Sequence, residues 1–342
     1  MDSGWSLHDQ ETNPHGSQVP SDHSGDDDGL PGYSDYGDSV ESSGFTSIAS
    51  YVLRHAHQEG RRYQSFRLGS YPLPNDSIEQ EREEMKHLMI KRLFDGHDYL
   101  APIGNNPQKI IDIGTGIGLW AIDVADTFPG AQVVGVDMTP IQSPVIPHNV
   151  MWRIDDIQNT EWAPPYSGAD FIHMRSVIST LSRHEEVVES AFRNLKPGGW
   201  IEFQELWCHI GCDDGTMRAD HPMLRFTSLL RQHFAPLHQW NIDLAQSLPQ
   251  LLQRVGFTDV NIRHHKIPIG AWARDQKQRE LGLFMSKHVL WQFVKAVLVK
   301  WSDMGLPSRM EADSLETDIR TAFDDPEIHT YMPWVSVWAQ KP

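Results

Sequence analysis

The fold is decided by the sequence KIIDIGTGIGLW at residues 109–120. Its first half, Lys109–Ile113, has the apolar character of a short buried strand, and a helix is predicted from about Leu119 to Thr127. Glycines between them allow a ligand to approach the backbone at the positive end of that helix; they are Gly114, Gly116 and Gly118. In doubly wound sheets such a loop lies at the carboxyl ends of the strands, where ligands bind.

Strands and helices alternate on the C-terminal side of this loop. Further strands are predicted at Ala131–Asp137, Val150–Ile154, Asp170–His173 and Trp200–Leu206. A helix at about Glu185–Leu195 is expected to be closed by Pro197-Gly198-Gly199. The alternation indicates an α/β protein with a mostly parallel, doubly wound sheet and helices on both faces.

The regions outside this alternation are mainly helical. Residues 77–95 are predicted to form a helix with a capping box of Ser77 and Gln80. Its apolar residues at helical spacing are Met85, Leu88, Met89 and Leu93. Residues 207–247 show no clear strand pattern. The remaining predicted elements are a helix at Pro249–Val255, a strand at Phe257–Lys266, a helical stretch at 275–300 and a last strand at Tyr331–Ala339.

The spacing of the glycine loop distinguishes two classes of ligand. The dinucleotide fingerprint G-x-G-x-x-G would need its third glycine at the position of Leu119. Asp112 lies against the loop, where a carboxylate would repel a pyrophosphate but suits the ammonium and sulfonium of S-adenosylmethionine. The sequence therefore favours S-adenosyl-L-methionine over a nicotinamide dinucleotide as the cofactor.

Acidic residues also end the next two strands. Asp137 ends the second strand, where a carboxylate can accept hydrogen bonds from both ribose hydroxyls, although it could also simply cap the next segment. Asp155 and Asp156 follow the third strand and precede Ile157. One of these two aspartates is expected to accept a hydrogen bond from the adenine amino group, with Ile157 against the ring. The alternative is a solvated acidic turn.

The charge of this 342-residue chain is unevenly distributed. The net charge is −17, but the first 53 residues contain 10 acidic and no basic residues, which leaves 36 acidic against 29 basic residues in the remainder. Residues 1–46 are predicted to be a disordered acidic tail, either merely solvated or a docking segment for a basic partner. The mildly acidic remainder argues against nucleic-acid binding, which needs a basic surface.

The composition also argues against membrane and metal-binding classes. No apolar run approaches the ~20 residues that cross a bilayer, and the N-terminus lacks a signal-peptide pattern, so an intracellular location without membrane contact is expected. Two cysteines, Cys208 and Cys212, indicate no disulfide framework. Their spacing, even with His209 and His221, lacks the paired pattern of strong zinc sites, so no metal is predicted.

These motifs together resemble a known family. The glycine loop, the acidic strand ends and Leu195–Gly199 are similar to class I methyltransferases in general. A narrower resemblance is to the fungal LaeA-like methyltransferases. It rests on Gly60–Tyr63, Tyr71–Asp76, Glu79–Arg82, Trp120–Ala125, Gly135–Gln142 and Lys341–Pro342. It extends over about residues 55–342, and Tyr71–Asp76 combined with Pro140-Ile141-Gln142 is its most specific part.

The resemblance implies a Rossmann-like, seven-stranded class I methyltransferase sheet whose last strand is antiparallel. It implies that the tail is followed by a helical lid segment at 47–104, which closes over the cofactor around Tyr63–Asp76. A methyltransferase domain at 105–342 would then carry helical cap insertions at about 207–247 and 275–325.

The family includes small-molecule methyltransferases of secondary-metabolite pathways and nuclear regulators that act with velvet proteins. The expected function is therefore methylation of oxygen or nitrogen on a small secondary metabolite by a cytoplasmic enzyme. The alternative is a nuclear regulator with a protein partner.

Methyl transfer is an in-line displacement, to which orientation of the reactants alone contributes ~7–11 kcal/mol. A general base matters only if the nucleophile arrives protonated. Residues placed near the carboxyl ends of the fourth and fifth strands are His173, Arg175, Glu205 and His209. His173 is the predicted catalytic residue because neutral imidazole titrates near neutral pH. The alternative for His173 is a buried structural histidine.

Overall fold

Seven strands of the chain form one sheet in the order β5-β4-β3-β6-β7-β9-β8. The computed structural model describes residues 55–58, 60–64, 66, 71–159, 161–162, 166–303 and 307–342, so the tail predicted at 1–46 lies outside the described residues. The strands of the sheet are β3 (Lys109–Ile113), β4 (Gln132–Asp137), β5 (Val150–Ile154), β6 (Ala169–Arg175), β7 (Leu195–Leu206), β8 (Thr258–Pro268) and β9 (Tyr331–Gln340). A separate antiparallel hairpin consists of β1 (His55–Gln58) and β2 (Arg61–Gln64).

The five strands β3 to β7 pair in parallel, and β9 runs antiparallel between β7 and β8. Helices cover both faces, so the central strands are buried on both sides and read as continuous apolar runs. Ile110, Ile111 and Ile113 of β3 have no exposed surface. The predicted doubly wound sheet with an antiparallel last strand is therefore confirmed.

Helices connect the strands and form a cap above the sheet. They are α1 (Ser77–Leu93), α2 (Leu119–Thr127), α3 (His184–Asn194), α4 (Pro222–Leu229), α5 (Ala235–His238), α6 (Leu244–Val255), α7 (Gln276–Phe284), α8 (Leu290–Asp303) and α9 (Arg309–Phe323). Single π-helical segments, Leu230–Phe234 and Met285–Val289, join α4 to α5 and α7 to α8. Within the described residues, no helix is long and apolar enough to cross a membrane.

Three apolar clusters hold these layers together. One packs α3 and α6 against one face of the sheet, and a second packs α2 against the other face. The third joins α1 to the helices inserted before and after β8. The helical cap that the resemblance implies is therefore present above the carboxyl ends of the strands, where it encloses space next to the glycine loop.

Helix α1 differs from its predicted pattern in two respects. Its N-cap is Asp76, whose Oδ1 accepts a hydrogen bond of 3.1 Å from the Glu79 N–H, so the predicted capping box at Ser77 is wrong by one residue. Leu88, predicted on the apolar face, is 43% exposed. The charged residues Glu79, Arg82 and Lys86 are buried instead. The helix thus presents charged side chains to the interior, which hydrophobic periodicity does not reveal.

Two proline positions also differ from expectation. Pro197-Gly198-Gly199, predicted to close a helix as a turn, lies within β7, whose register against β6 shifts near this point. Pro249, predicted at the start of a helix, lies inside α6, which begins at Leu244. A proline is well placed in a first helical turn but does not by itself fix where that turn lies.

Candidate active site

The glycine loop lies between β3 and α2 and is tied to the end of β4. The N–H groups of Gly114 and Thr115 both donate to the Val136 carbonyl, at 2.8 and 2.9 Å. This pairing holds the loop open above the carboxyl edge of the sheet. The arrangement leaves the N-terminus of α2 facing a cleft, which suits a ligand with polar groups.

Each glycine of the loop has a positive φ, and their surroundings differ. A Cβ on Gly114 would lie 2.1 Å from a methyl carbon of Val177, and one on Gly118 would lie 2.6 Å from the Trp152 ring. At Gly116 (φ 57°), nothing lies within 4 Å of the added Cβ. Gly114 and Gly118 are therefore needed for packing, whereas Gly116 leaves open the space that a ligand can use.

Asp137 closes the loop from the end of β4. Its Oδ2 accepts a hydrogen bond of 2.8 Å from the Gly116 N–H, and its Oδ1 accepts one of 2.9 Å from the Thr139 N–H. Burial raises the pKa of Asp137 to about 6, against the lowering effect of these two bonds. The carboxylate is thus fixed in orientation at the edge of the cleft.

Asp112 lies beneath the loop and is only 3% exposed. One carboxylate oxygen accepts a hydrogen bond of 2.6 Å from the Thr115 hydroxyl, and the other lies 2.8 Å from His173 Nδ1. Both oxygens therefore have partners within the protein. The observed role of this carboxylate is to hold the loop to the neighbouring strand β6.

His173 is fully buried and stacks on Trp120 with ring centroids 3.7 Å apart. Burial lowers the pKa of His173 to about 4, although Asp112 opposes that shift. The imidazole is therefore neutral at neutral pH and braces Asp112. The catalytic role predicted for His173 gains no support from this geometry.

The three residues after β5 line the same cleft. Asp155 accepts a hydrogen bond of 2.8 Å from the Tyr166 hydroxyl, and Asp156 accepts one of 2.9 Å from the Gln158 N–H. Ile157 is 7% exposed and offers an apolar surface. The structure brings both aspartates to the cleft and leaves either one able to meet an exocyclic amino group.

The opposite wall of the cleft comes from the N-terminal segment, which sequence reasoning assigned to a lid without naming its contacts. The cleft is lined on this side by Gln64, Tyr71, Leu73, Pro74 and Asn75 as well as by the loop. The Gln64 side-chain oxygen Oε1 accepts a hydrogen bond of 2.7 Å from the Thr139 hydroxyl. Its amide nitrogen is buried without a hydrogen-bond partner among the described residues, so a donor is available to a ligand.

The hairpin is attached to α1 by two arginines. Arg61 forms a bidentate pair with Asp76, at 2.5 and 3.0 Å. Arg62 donates to the Asn75 side-chain oxygen at 3.0 Å and to the Asn75 carbonyl at 2.7 Å. These bonds fix the segment that carries Gln64 to the N-terminus of α1.

A ladder of charges on α1 faces the cleft. Arg82 donates to Glu79 at 2.6 Å, and Lys86 donates to Glu83 at 2.7 Å. Burial disfavours the ionised form of Glu83, but Lys86 and Arg82 outweigh that effect and lower its pKa to about 2. In the sequence, these residues stand out only through Glu79–Arg82, which is part of the family resemblance. No hydrophobic pattern marks buried charges.

Arg175 ends β6 at the meeting point of these elements. It donates to the Gln204 side-chain oxygen at 2.9 Å, and its Nη1 lies 3.2 Å from His87 Nδ1. The His87 Nε2 lies 3.0 Å from an oxygen of Asp123. This chain of contacts holds a guanidinium at the wall of the cleft near the glycine loop.

A second cavity adjoins the cleft beneath the helical cap. Its apolar lining includes Tyr71, Leu206, Met223, Phe226, Leu230, Trp240, Ile242 and Phe293. The residues that line both spaces are Tyr71, Leu73, Lys86, Ser176 and Thr180. Ser176 has a left-handed φ of 56°, and its buried hydroxyl lacks a hydrogen-bond partner in the described part of the chain. Such strain is concentrated at functional sites.

Glu205, near the end of β7, lines the apolar cavity and is 1% exposed. Its Oε1 accepts hydrogen bonds from the Val177 and Ile178 N–H groups, at 3.0 and 3.3 Å, and its Oε2 accepts one of 2.8 Å from the Ser179 hydroxyl. Burial raises the pKa of Glu205 to about 7, despite these bonds. Of the four residues considered as a base, Glu205 is the one placed beside the apolar cavity.

The residues weighed for a zinc site have other surroundings. Cys208 lines the apolar cavity, and burial raises the pKa of its thiol to about 12. Cys212 Sγ accepts a hydrogen bond of 3.3 Å from the Met217 N–H. His221 caps α4, and His209 is exposed and stacks on Trp207.

The chain is similar to known methyltransferases. A family model described as a methyltransferase domain matches residues 85–262. The methyltransferase pytC of Aspergillus terreus is 32% identical over 303 residues, which cover 88% of this chain and 92% of that protein. The secondary metabolism regulator LAE1 of Cochliobolus heterostrophus is 30% identical over 269 residues, 75% of this chain and 78% of that protein.

Among solved structures, phosphoethanolamine N-methyltransferase 2 of Haemonchus contortus, in complex with S-adenosyl-L-methionine, is similar with a TM-score of 0.42 and 16% identity. The match covers 87% of this chain and 73% of that one. The chain belongs to the class I methyltransferases and, within them, to the fungal LaeA-like family. It is an S-adenosylmethionine-dependent methyltransferase.

Proposed function

We propose that the enzyme methylates an oxygen or nitrogen atom of a small organic molecule in a secondary-metabolite pathway. The observation that carries the proposal is the junction of two spaces at Ser176 and Thr180. One space has the glycines and carboxylates that a nucleoside needs, and the other is apolar and aromatic, as binding sites for small organic molecules are. A methyl donor in the first space and an acceptor in the second would meet at this junction.

The cleft fits the cofactor. Gly116 leaves room for close approach of a ligand, Asp137 can accept hydrogen bonds from the ribose hydroxyls, and the Gln64 amide can donate. Ile157 would lie against the adenine ring, and Asp155 or Asp156 would accept from its amino group. When bound, the cofactor supplies an electrophilic methyl group on a sulfonium.

The charged wall suits the amino-acid end of the cofactor. Lys86 and Arg175 offer cations for its carboxylate, and Glu83, ionised at neutral pH, offers an anion for its ammonium. Asp112, which the sequence suggested for this ammonium, is only 3% exposed beneath the loop, where it bonds Thr115 and His173. We therefore assign Asp112 to shaping the loop rather than to direct contact.

We also propose that the chain is organised as a tail, a lid and a methyltransferase domain. Residues 47–104 would act as a lid, since Gln64, Tyr71, Leu73, Pro74 and Asn75 line the cleft. The domain at 105–342 would supply the cofactor site, and its insertions at about 207–247 and 275–325 the acceptor pocket. We propose a cytoplasmic location and no nucleic-acid, membrane or metal partner for the enzyme.

A second candidate is a nuclear regulator of secondary metabolism with a protein partner. Relatives named as secondary metabolism regulators, at 29–31% identity, favour it. The apolar cavity beneath the cap favours the first candidate, because a pathway enzyme needs a pocket for its methyl acceptor.

Two experiments test the proposal. Purified protein should be stabilised against heat by S-adenosylhomocysteine but not by NAD, because a ligand stabilises by RT ln(1 + [L]/Kd), ~2.7 kcal/mol at a hundredfold excess over Kd. Absence of that shift would refute the cofactor site. Gene deletion with metabolite and transcript profiling should replace one product by its form lacking a single methyl group. A broad loss of several metabolites together with their transcripts would instead establish the regulator.

A further inference from the structure

The apolar cavity contains one hydrogen-bonded pair of a hydroxyl and a carboxylate. Ser179 Oγ donates to Glu205 Oε2 at 2.8 Å, and both residues line the cavity. The other two partners of Glu205 are the backbone N–H groups of Val177 and Ile178. All three groups donate to the carboxylate. Glu205 is thus held rigidly, and the Ser179 hydroxyl lies beside it on the lining of the cavity.

We propose that Ser179 and Glu205 relay a proton away from a neutral aromatic hydroxyl compound bound in this cavity. The inference rests on the proposed function and narrows its acceptor from oxygen or nitrogen to a phenolic or enolic oxygen. A phenol needs such a relay because its neutral hydroxyl is a weak nucleophile until its proton is withdrawn.

The lining of the cavity favours this acceptor class. Flat aromatic rings suit the faces of Phe226, Trp240 and Phe293, which supply an apolar surface. Arg82 and Lys86 also line the cavity, and each is paired with a carboxylate of α1. The acidic side chain of the lining, Glu205, already accepts three hydrogen bonds, so a cationic amine would find no free carboxylate among the described lining residues.

The reaction balances without a further reactant. The acceptor oxygen forms a bond to the methyl carbon as the bond between that carbon and the cofactor sulfur breaks, leaving the thioether S-adenosylhomocysteine. The hydroxyl proton passes to Ser179 Oγ, and the Ser179 proton passes to Glu205 Oε2. Glu205 then releases this proton to solvent when the products leave.

The charge states of the surrounding groups are compatible with this path. Burial raises the pKa of Glu205 to about 7, so its carboxylate can accept a proton near neutral pH. Burial raises the pKa values of Tyr71 and Cys208, which therefore stay neutral beside it. The cations facing this region are Arg82 and Lys86 of α1, which are paired with Glu79 and Glu83 of the same helix. Burial lowers the pKa of Lys86.

The acceptor class is tested with matched probe pairs. Transfer of labelled methyl from S-adenosylmethionine is measured with 2-naphthol and 1-naphthol, and with the matched amines 2-(aminomethyl)naphthalene and 1-(aminomethyl)naphthalene, which are cations at neutral pH. We expect labelled products from the hydroxyl compounds at least tenfold faster than from the amines. Equal or faster labelling of the amines, or labelling of neither class, overturns the inference. Stabilisation by S-adenosylhomocysteine, measured on the same sample, shows separately whether the cofactor site itself is correct.

The relay is tested with Ser179→Ala and Glu205→Gln, using the labelled hydroxyl probe. Removal of a general base costs ~10²–10⁴-fold in rate, so kcat should fall by about that factor while KM and the thermal shift with S-adenosylhomocysteine stay unchanged. The wild-type kcat should fall as the pH drops below about 7, and Glu205→Gln should lack this dependence. Glu205→Asp should recover part of the rate.

Exposed residues on the adjoining segment provide the controls. Ser182→Ala and Glu189→Gln make the same chemical changes on exposed side chains and should keep wild-type kcat. If Glu205→Gln does not fold, Ser179→Ala still tests the proton relay, because this variant keeps the Glu205 carboxylate in place. Wild-type kcat in Ser179→Ala, or a loss confined to KM in either variant, overturns the relay.

Discussion

The N–H of Gly116 donates a 2.8 Å hydrogen bond to the carboxylate of Asp137, and this bond couples the glycine loop to the end of β4. Because Asp137 also accepts from Thr139, one side chain fixes two backbone segments around the cleft. The residue proposed to bind ribose is therefore also the residue that shapes its surroundings. This coupling makes the ionisation of Asp137 measurable as a change in cofactor affinity.

We predict that affinity for S-adenosylhomocysteine falls as the pH drops below about 6. Burial raises the pKa of Asp137 to about 6, and protonation removes a carboxylate that would accept from the ribose hydroxyls. Asp137→Asn should weaken binding by ~10–100-fold, since a hydrogen bond to a charged group contributes ~1.5–3 kcal/mol. Asp137→Asn should also abolish the decline of affinity below about pH 6. Calorimetric titration between pH 5 and pH 8 measures both effects.

The matched control for Asp137→Asn is Asp126→Asn, the same change at an exposed position of α2. It should bind S-adenosylhomocysteine as the wild type does, with the pH dependence intact. Wild-type affinity in Asp137→Asn would remove the ribose assignment.

Two glycines of the loop should respond differently to alanine. Gly114→Ala should destabilise the fold, because the new Cβ would lie 2.1 Å from Val177 and the φ of 69° is unfavourable for alanine by ~1–2 kcal/mol. In Gly116→Ala, no atom lies within 4 Å of the new Cβ, so only the unfavourable φ should lower the stability of the fold. The added methyl group should still reduce cofactor binding, because it occupies space next to the cleft. Thermal unfolding with and without S-adenosylhomocysteine separates the effects. Gly130→Ala, at an exposed turn without a clash, is the control. Equal stabilities of the Gly114 and Gly116 variants would contradict the packing argument.

Glu202 should prove essential for stability although it lies outside the site. It is fully buried, and its Oε2 accepts from the N–H groups of Leu100 and Ala101, at 2.8 and 2.7 Å. Glu202→Ala leaves both donors unpaired at a cost of ~1–3 kcal/mol each. Burial raises the pKa of Glu202, so the folded state holds its proton to a higher pH than the unfolded state. Its contribution to stability should therefore decrease as the pH rises through the raised pKa.

Denaturant unfolding across the acidic pH range measures this dependence. Glu202→Gln should remove it, whereas Glu327→Gln, at an exposed position, should leave it unchanged. A Glu202→Ala variant as stable as the wild type would show that these hydrogen bonds contribute nothing.

Much of the sheet could be predicted from the sequence because parallel strands buried on both faces are short apolar runs between turn residues. Lys109–Ile113 and Val150–Ile154 have the bounds expected of them. Strand β6 ends in the polar residue Arg175, which was not predicted as part of its strand, and β7 carries Glu205 one residue before its end. Functional residues lie at the polar ends of strands, where the hydrophobic pattern that predicts a strand is weak.

The cofactor loop was predictable because the glycines and acids follow one another along the chain. The rest of the site depends on contacts between distant segments, such as Gln64 with Thr139 and Arg175 with His87. The left-handed φ of Ser176 and the partners of Glu205 likewise have no local sequence signal. His173 was favoured as a base from its ordinary titration range, whereas its burial decides its charge.

The last prediction concerns His173 and separates stability from catalysis. The pKa of His173 is about 4 in the folded state and 6.5 is its ordinary value, so the unfolded state binds more protons between these pH values. Stability should therefore fall as the pH drops from 6.5 towards 4, by at most ~1.4 kcal/mol per pH unit from this group. In His173→Asn, the amide nitrogen replaces Nδ1 as a partner of Asp112 but does not titrate. The acid loss of stability should become shallower, while the fall of kcat below pH 7 persists. His264→Asn, at an exposed position of β8, is the control and should change neither curve. If His173→Asn loses the pH dependence of kcat and keeps that of stability, His173 is the general base after all.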